Sequence, residues 1–218
     1  MRTLLVLVLC GCDSATVVET VRIGGAVEQL AIDVEAGDVE VTRADVDVIS
    51  VTRTLTGPAG SVLVAQTVTD GVARITGGCR AFTACTVDVS VVVPADLIVD
   101  IHTGEGDVDV SDVADVLVEV GRGDLRVWGT VSRLRARIGW GDAAVTVSSV
   151  PEDVAIELAG GDALLRLPTG TYDMDVVAVG GDTIVGVING AGPRVHVRTQ
   201  GGSASIVGRQ AVGLSPPG

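Results

Sequence analysis

Residues 97–110 read LIVDIHTGEGDVDV, and this stretch contains the pattern that decides the fold. Apolar and polar side chains alternate on both sides of Gly106-Asp107, as in two half-buried β-strands joined by a tight turn. Glycine suits the turn because it adopts positive φ without steric cost, and aspartate hydrogen-bonds turn backbone through its carboxylate. The stretch therefore predicts a strand–corner–strand unit with Gly-Asp as its corner.

The same unit recurs along the chain. Its corners are Gly37-Asp38, Gly106-Asp107, Gly123-Asp124, Gly141-Asp142, Gly161-Asp162, Gly181-Asp182 and a variant, Gly202-Ser203. From Asp107 onward they are 17, 18, 20, 20 and 21 residues apart. A single unit cannot bury its apolar face alone, so units at a near-constant period stack. The sequence predicts an all-β, single-domain β-solenoid of about six to seven coils with Gly-Asp corners.

Five positions in each unit are predicted to face the core. Counted from the Asp of the corner, or from Ser203, they lie eight, six and four residues before it and one and three residues after it. Seven units with five positions each give 35 positions, and all are apolar except Thr103, Thr183 and Thr199. Val127 and Leu165 are two of these inward positions.

The column of corner aspartates admits two interpretations. Stacked carboxylates about 4.8 Å apart would repel one another without a cation, which points to a row of calcium ligands. Calcium-binding β-rolls, however, use a nine-residue repeat, and the period here is twice as long. We therefore interpret the column as structural and predict no metal site and no cofactor.

An N-terminal hairpin region precedes the regular ladder. Strand-like runs fall at 46–55, 62–68, 72–76 and 86–93, separated by turn signals. Cys79 and Cys85 lie between the last two runs. They form an even pair once the cysteines of the N-terminal segment are set aside, so they predict a disulfide in an exported protein.

Residues 1–12 predict a lipoprotein signal segment. Arg2 precedes an apolar run, and Leu9-Cys10-Gly11-Cys12 is similar to a bacterial lipobox, in which the cysteine after the small residue is acylated. A plain secretory signal or a buried strand is the alternative interpretation. The predicted organisation is thus a signal segment at 1–12, the β-solenoid domain at 13–207 and a flexible Pro- and Gly-rich tail at 208–218.

The run Val93-Pro94, Leu97 to Ile101 and Gly104 to Val110 resembles the bacterial putative-adhesin family. That resemblance implies a β-solenoid domain in an envelope protein, with no catalytic residues to carry over. Together with the signal segment at 1–12, it favours a membrane-anchored cell-envelope lipoprotein, periplasmic or at the surface. Its partner would be another envelope protein, a glycan or a second copy.

Composition and site searches agree with a non-catalytic role. The formal net charge of −13 makes nucleic acid a poor partner. His102 and His196 lie on outward positions, and neither has a second histidine at ligand spacing. Trp140 and Trp128 either stack on sugar rings or cover neighbouring coils.

The outward column five residues before the corner reads Asp33, His102, Glu119, Arg137, Glu157, Val177 and Arg198. Alternating signs are typical of a solvated cross-strand charge ladder. We therefore favour a structural or adhesive binding module over the alternative, a secreted carbohydrate-active β-helix enzyme.

An apolar strip marks a candidate interface. Two residues after the corner, Ala144, Leu164 and Ile184 present apolar side chains to the solvent side in three successive units. Such strips usually mark contact surfaces. The strip is predicted to dock another protein or a second copy, unless the C-terminal tail, or an imperfect register after the longer turns, covers it.

Overall fold

A computed structural model of the chain describes residues 7–10, 14–81 and 83–209. Within these ranges the protein consists of strands and turns and has no helix long and apolar enough to cross a membrane. The strands are β1 (Leu7–Cys10), β2 (Ala15–Ile23), β3 (Gln29–Ala36), β4 (Val39–Arg43), β5 (Ile49–Gly57), β6 (Val62–Thr69), β7 (Val72–Cys79), β8 (Thr86–Val93), β9 (Ile98–Glu105), β10 (Val108–Ser111), β11 (Asp115–Arg122), β12 (Leu125–Gly129), β13 (Arg133–Trp140), β14 (Ala143–Val147), β15 (Asp153–Gly160), β16 (Ala163–Pro168), β17 (Thr171–Ala178), β18 (Thr183–Gly186), β19 (Ile188–Thr199) and β20 (Ala204–Arg209).

The strands form two large mixed sheets. An eleven-stranded sheet has the order β1-β2-β5-β8-β4-β10-β12-β14-β16-β20-β18. A nine-stranded sheet has the order β17-β19-β15-β13-β11-β9-β3-β7-β6. Each Gly-Asp corner joins a strand of the nine-stranded sheet to a strand of the eleven-stranded sheet, so every unit contributes one strand to each.

Units stack in parallel and in register. Val108 pairs with Leu125, which pairs with Ala143, and the other units repeat this alignment. The inward columns of both sheets meet in one core of Val, Leu, Ile and Ala side chains. β-branched and small residues suit this arrangement because they pack on a pleated surface without demanding much depth. The predicted all-β class is confirmed.

The corner aspartates link the units through the backbone. Each carboxylate except that of Asp182 accepts a hydrogen bond from the backbone N–H of the adjacent corner rather than from its own turn. The bonds are Asp107 N–H to Asp38 Oδ1 at 2.9 Å, Asp124 to Asp107 at 2.9 Å, Asp142 to Asp124 at 2.9 Å, Asp162 to Asp142 at 2.8 Å, and Ser203 to Asp162 at 2.7 Å. The last corner, Asp182, donates its N–H to Ser203 Oγ at 3.3 Å.

The N-terminal region adds antiparallel strands to the stack. β2, β5 and β8 pair antiparallel, as do β6 and β7. The predicted disulfide between Cys79 and Cys85 is present and ties the end of β7 to the segment before β8. Glu35 Oε2 accepts the Cys79 N–H at 3.1 Å, which fixes this end against β3.

The last two units do not stack in chain order. β19 lies between β15 and β17, and β20 lies between β16 and β18. The sequence pattern predicts successive stacking, so the expected neighbours of the unit built from β17 and β18 are wrong.

Charge alternation favours this exchange. One outward column of the nine-stranded sheet reads Asp115, Arg133, Asp153, Arg194 and Asp173 in spatial order. In chain order Asp153 would lie beside Asp173. Because like charges directly opposite each other on neighbouring strands are destabilising, the inserted Arg194 relieves that repulsion.

The exchange leaves the unit of β17 and β18 at the end of both sheets. Of its predicted core positions, Met174, Val176 and Ala178 are only half-buried, while Thr183 and Val185 are exposed. These are the inward positions that the period-two pattern predicted incorrectly. These side chains are exposed because their unit lies at the end of the stack, and among the described residues no further strand covers it on that side.

Two buried threonines in the same column allow a test of the core assignment. Thr103 Oγ1 is buried between Val34 and Val120 and has no hydrogen-bond partner among the described residues, whereas Thr199 Oγ1 donates to the Gly202 carbonyl at 2.6 Å. Thr103→Val is expected to raise the free energy of unfolding by about 1 kcal/mol, because it removes an unpaired buried hydroxyl. Thr199→Val is expected to lower it by a similar amount. Urea denaturation of both variants checks this, and equal signs would contradict the assignment.

Candidate functional site

A shallow cleft crosses the outer face of the nine-stranded sheet near the middle of the stack. It has a volume of about 440 Å³ and extends over β9, β11, β13, β15 and β19. Its polar lining residues are His102, Glu119, Arg137, Glu157, Arg198 and Gln200. All but Gln200 come from the same position of successive units, so the repeat itself aligns them.

The charged side chains of the cleft form a chain of ion pairs. His102 Nδ1 lies 3.3 Å from Glu119 Oε2. Arg137 bridges two carboxylates, with Nη1 3.4 Å from Glu119 and Nε 3.4 Å from Glu157. These pairs are about half exposed, so each contributes well under 1 kcal/mol to stability. Their main effect is to hold donors and acceptors in fixed places.

Arg198 extends this column further than the sequence predicts. The chain order puts Val177 after Glu157, whereas the structure puts Arg198 there and Val177 beyond it. The expected position of Arg198 in the column is therefore wrong, because β19 lies between β15 and β17. Arg198 makes no ion pair with the described residues, so its guanidinium is open to the cleft.

The floor of the cleft is backbone. Gly121 and Gly139 occupy outward positions where a side chain would fill the cleft. A Cβ added at Gly121 would collide with the carbonyl oxygen of Gly104, and one at Gly139 with that of Gly121. Close approach of neighbouring units thus requires glycine here, and the same requirement keeps the cleft open.

Trp140, at the end of β13, is not part of the cleft lining, because along the strand it has the parity of inward Ile138 and not that of outward Arg137. It follows Gly139 directly and is 65% exposed. A Cβ added at Gly160, its register neighbour, would lie 2.6 Å from Trp140 Cε3 and 2.7 Å from Cζ3. The indole therefore packs against the Gly160 backbone, while most of its surface faces solvent. It both covers a neighbouring unit and presents a free aromatic surface.

The outer face of the eleven-stranded sheet carries a cluster of carboxylates around Asp109. Burial raises the pKa of Asp109; Arg126 opposes the rise, while Asp107 and Glu40 add to it. Trp128 lies on this sheet between Ser111 and Thr146 and is 44% exposed. Trp128 in β12 and Trp140 in β13 therefore lie on strands of opposite sheets.

The predicted apolar strip is not continuous. Ala144 pairs with Leu164, but Leu164 pairs with Ser205, and Ser205 pairs with Ile184. Inserted β20 therefore separates Ile184 from the other two residues. Ala144 and Leu164 are half-buried, and Ile184 is 59% exposed. The expectation of one three-residue strip is wrong, and partner binding at these residues stays a prediction.

The predicted lipidation site, Cys12, lies outside the described residues. Residues 7–10 of the predicted signal segment form β1, which pairs antiparallel with β2. β20 continues to Arg209, two residues beyond the predicted end of the domain at 207.

The charge column was predictable from the sequence, but the cleft along it was not predicted. The available signal was the repeated Gly-x-Gly-Asp at 104, 121 and 139. Its first glycine removes a side chain from the outer face in three consecutive units. That motif excludes a dinucleotide fingerprint, since no helix follows it, but its periodic removal of side chains also marks a groove.

Solved structures with a similar fold come from bacteria. A putative cell adhesion protein from Clostridium sporogenes superimposes with a TM-score of 0.53 at 10% identity, covering 88% of this chain and 99% of that protein. A putative adhesin from Bacteroides fragilis gives a TM-score of 0.47 at 12% identity, covering 87% and 97%. A putative lipid binding protein from Parabacteroides distasonis gives 0.39 at 9% identity, covering 86% and 96%.

No protein-family model matches the sequence, and no curated protein is significantly similar to it. The likeness to the clostridial protein shows a shared fold. The resemblance to putative adhesins that the sequence predicts is confirmed at that level.

Proposed function

We propose that this chain is a non-catalytic binding module of the bacterial cell envelope, anchored as a lipoprotein through Cys12, with its ligand in the cleft of the nine-stranded sheet. The observation that carries the proposal is a cleft that combines glycines in its floor with an ordered ladder of charges. The fold shared with an adhesion-type protein supports an adhesive role. The cleft supplies the surface for it.

We interpret the stacked units as a β-solenoid with an antiparallel N-terminal addition. Parallel, in-register pairing of corresponding strands from unit to unit supports this interpretation. A stack of this kind is an elongated, rigid support for an outward-facing site.

The geometry of the charge ladder argues against glycoside cleavage. A hydrolytic carboxylate pair must leave room between the two groups for the scissile bond and, in inverting enzymes, for a water molecule. Here Arg137 lies between Glu119 and Glu157 and pairs with both at 3.4 Å. The space that chemistry needs is filled by a guanidinium, an arrangement that suits binding better than a carbohydrate-active enzyme.

Anchoring through Cys12 would place the cleft away from the membrane. Only Asp13 and Ser14 separate Cys12 from the start of β2. Six strand-to-strand steps lead from β2 to β14, the partner of β13 in the same unit. At about 4.8 Å a step, the cleft would lie roughly 30 Å from the anchored strand. Signal cleavage before Cys12 would also remove β1 and leave β2 at the sheet edge.

Lipid attachment is tested by intact-mass analysis of full-length protein extracted from membranes. We expect loss of residues 1–11 and a diacylated or triacylated Cys12, and we expect Cys12→Ala to leave the membrane fraction. An unmodified Cys12 or a retained Met1 would overturn the lipoprotein assignment.

Ligand binding in the cleft is tested by photo-crosslinking in intact cells. A crosslinking residue at Gln200, which lines the cleft, is expected to capture an envelope component. The same residue at exposed Asp47, between β4 and β5, is the matched control. Equal capture at both positions, or none at Gln200, would remove the cleft as the binding site. Release of sugar fragments by the purified protein would favour the enzyme instead.

A further inference from the structure

The C-terminal end of the stack is open on both sheets. β17 is the last strand of the nine-stranded sheet, and β18, from the same unit, is the last strand of the eleven-stranded sheet. β17 pairs with β19 on one side and β18 pairs with β20 on one side. Among the described residues no strand pairs with the other side of either. A free strand edge carries unpaired backbone donors and acceptors and is a template for a further strand.

The same end exposes side chains of a kind that the internal units bury. Ala136 and Val145, two inward residues of the unit built from β13 and β14, are buried. Their counterparts in the end unit are Val176, which is half-buried, and Val185, which is 43% exposed. Stacked repeats ordinarily end in a unit with a polar outer face, which keeps the protein soluble. This end is instead an apolar face with a strand edge on each side.

The ladder of corner hydrogen bonds is also incomplete at this end. Asp142 Oδ1 accepts the N–H of Asp162, the next corner of the stack, at 2.8 Å. The carboxylate of Asp182 accepts no such bond within the described part of the chain, because no corner lies beyond it. The opposite end differs, since Asp88 of β8 accepts the N–H of Asp38, the first corner, at 3.1 Å. Antiparallel strands continue both sheets past that first corner.

The arrangement of the two free edges selects the kind of partner that can cover them. An extended peptide pairs with a single sheet edge. To cover both edges, a partner needs two strands about 10 Å apart with an apolar layer between them. The same end of a second copy has that spacing by construction. A two-fold axis perpendicular to the sheets sets β17 antiparallel to β17 of the second copy, and β18 antiparallel to its own counterpart.

The size of this end suits a reversible dimer. The eight residues of β17 span about 26 Å, and two packed sheets with their side chains are about 20 Å deep. Contact over this area would bury about 500 Å² on each copy, or roughly 1,000 Å² in total, which is near the lower limit for a specific interface. Two copies are therefore expected to associate and separate readily.

The open end also lies far from the proposed lipid anchor. Nine strand-to-strand steps lead from β2, which follows Cys12, to β18. At about 4.8 Å a step, the two strands are roughly 43 Å apart. An anchored chain would therefore present this end away from the membrane, where a second copy can reach it. Because the contact is two-fold and uses the same surface on both copies, association ends at two.

We propose that two copies of this chain join end to end through the unit of β17 and β18, each of these strands pairing with its counterpart in the second copy. The face between the strands consists of Met174, Val176, Ala178 and Val185, none of which lines the cleft of the nine-stranded sheet. The inference therefore goes beyond the proposed ligand binding and does not depend on it.

The test is sedimentation velocity of the full-length chain with Cys10→Ala and Cys12→Ala, which remove the acylation site and leave the Cys79–Cys85 disulfide intact. We expect the mass to double as the protein concentration rises from about 1 to 500 µM. We expect association to strengthen between about 50 and 500 mM salt, because salt screens the repulsion between copies that each carry a net charge of −13.

Two aspartate variants of this chain locate the contact. Val185→Asp is expected to weaken association about tenfold or more, because it places a charge in the apolar face. Val68→Asp is the matched control, since it makes the same substitution on β6, the edge strand at the other end of the nine-stranded sheet, where Val68 is 49% exposed. Its expected effect on association is less than about twofold. Circular dichroism shows whether both variants fold.

Hydrogen exchange tests the contact without a substitution in the end unit. We expect the backbone amides of β17 and β18 to exchange more slowly at the high protein concentration, and those of β6 to be unchanged. A monomer at every concentration would overturn the inference and leave the C-terminal tail or a different protein as the cover of this end. Equal effects of the two aspartate variants, or slower exchange in β6 alone, would also overturn it. Crosslinking at Gln200 tests the cleft separately, so each proposal can fail without the other.

Discussion

Val127→Asp is expected to lower the free energy of unfolding by about 4 kcal/mol or more, a large share of the about 5–15 kcal/mol of a typical domain. Val127 is 1% exposed and lies between Val110 and Val145 in the core column of the eleven-stranded sheet. Aspartate there would bury a charge with no donor to pair with it. Urea denaturation followed by far-UV circular dichroism measures the loss.

Leu117→Asp is the matched control for this substitution. It also replaces an aliphatic side chain by aspartate, at a position on β11 that is 42% exposed and pairs with Arg135 on one side and Asp100 on the other. Its expected effect on the free energy of unfolding is within about 1 kcal/mol. If Val127→Asp melts like the wild type, or if both variants lose equal stability, the inward and outward assignment of the units is wrong.

Gly123→Ala is expected to cost about 3 kcal/mol or more. Gly123 has a φ of 141°, a conformation that L-residues rarely adopt, and its added Cβ would collide with the carbonyl oxygen of Gly106. The opposing atom is backbone of the neighbouring corner, and that corner is hydrogen-bonded to Asp124. Relief of the collision therefore requires the two units to separate.

A second glycine variant separates the cost of placing alanine at positive φ from the cost of the collision with the neighbouring backbone. Gly60 also has positive φ, 74°, but a Cβ added there meets nothing within 4 Å. Gly60→Ala is expected to cost about 1 kcal/mol, which is the conformational term alone. Thermal unfolding of the two variants gives the comparison. Equal losses would mean that close stacking of the corners contributes little to stability.

The sequence predicted which residues face the core better than it predicted which units are neighbours in the stack. Period-two alternation around Gly-Asp identifies inward positions because each strand has one buried face, and Leu30, Val127 and Leu165 are all buried as expected. The same pattern does not encode which unit lies beside which. Met174 and Val176 have the apolar signature of a core strand although they lie in the end unit. Information on order is present in the charges at Asp153, Asp173 and Arg194, and it becomes visible only when spatial neighbours are compared.

The candidate site was predictable in its parts. The alternation of Glu119, Arg137 and Glu157 is visible in the sequence. A glycine in a strand, however, ordinarily marks a bulge or a close approach of two backbones. At Gly121 and Gly139 the neighbouring strand does approach closely, and the missing side chains also leave the cleft open. The cleft arises from side chains that are missing, which a search for reactive residues does not detect. The disulfide was predictable from cysteine parity, because Cys79 and Cys85 lie close together between two strands.

The exchanged order of the last units has a consequence for the timing of synthesis. A chain emerges N-terminus first, so residues 171–186 appear before residues 188–209, which separate them from the rest of the stack. At 5–20 residues per second that delay is roughly one to four seconds. During this interval β17 faces an open edge at β15, where docking would set Asp173 beside Asp153. Mutual repulsion of these carboxylates disfavours the premature pairing and keeps the place open for Arg194. The alternating charges thus disfavour pairing of β17 with β15 whenever these strands form before β19.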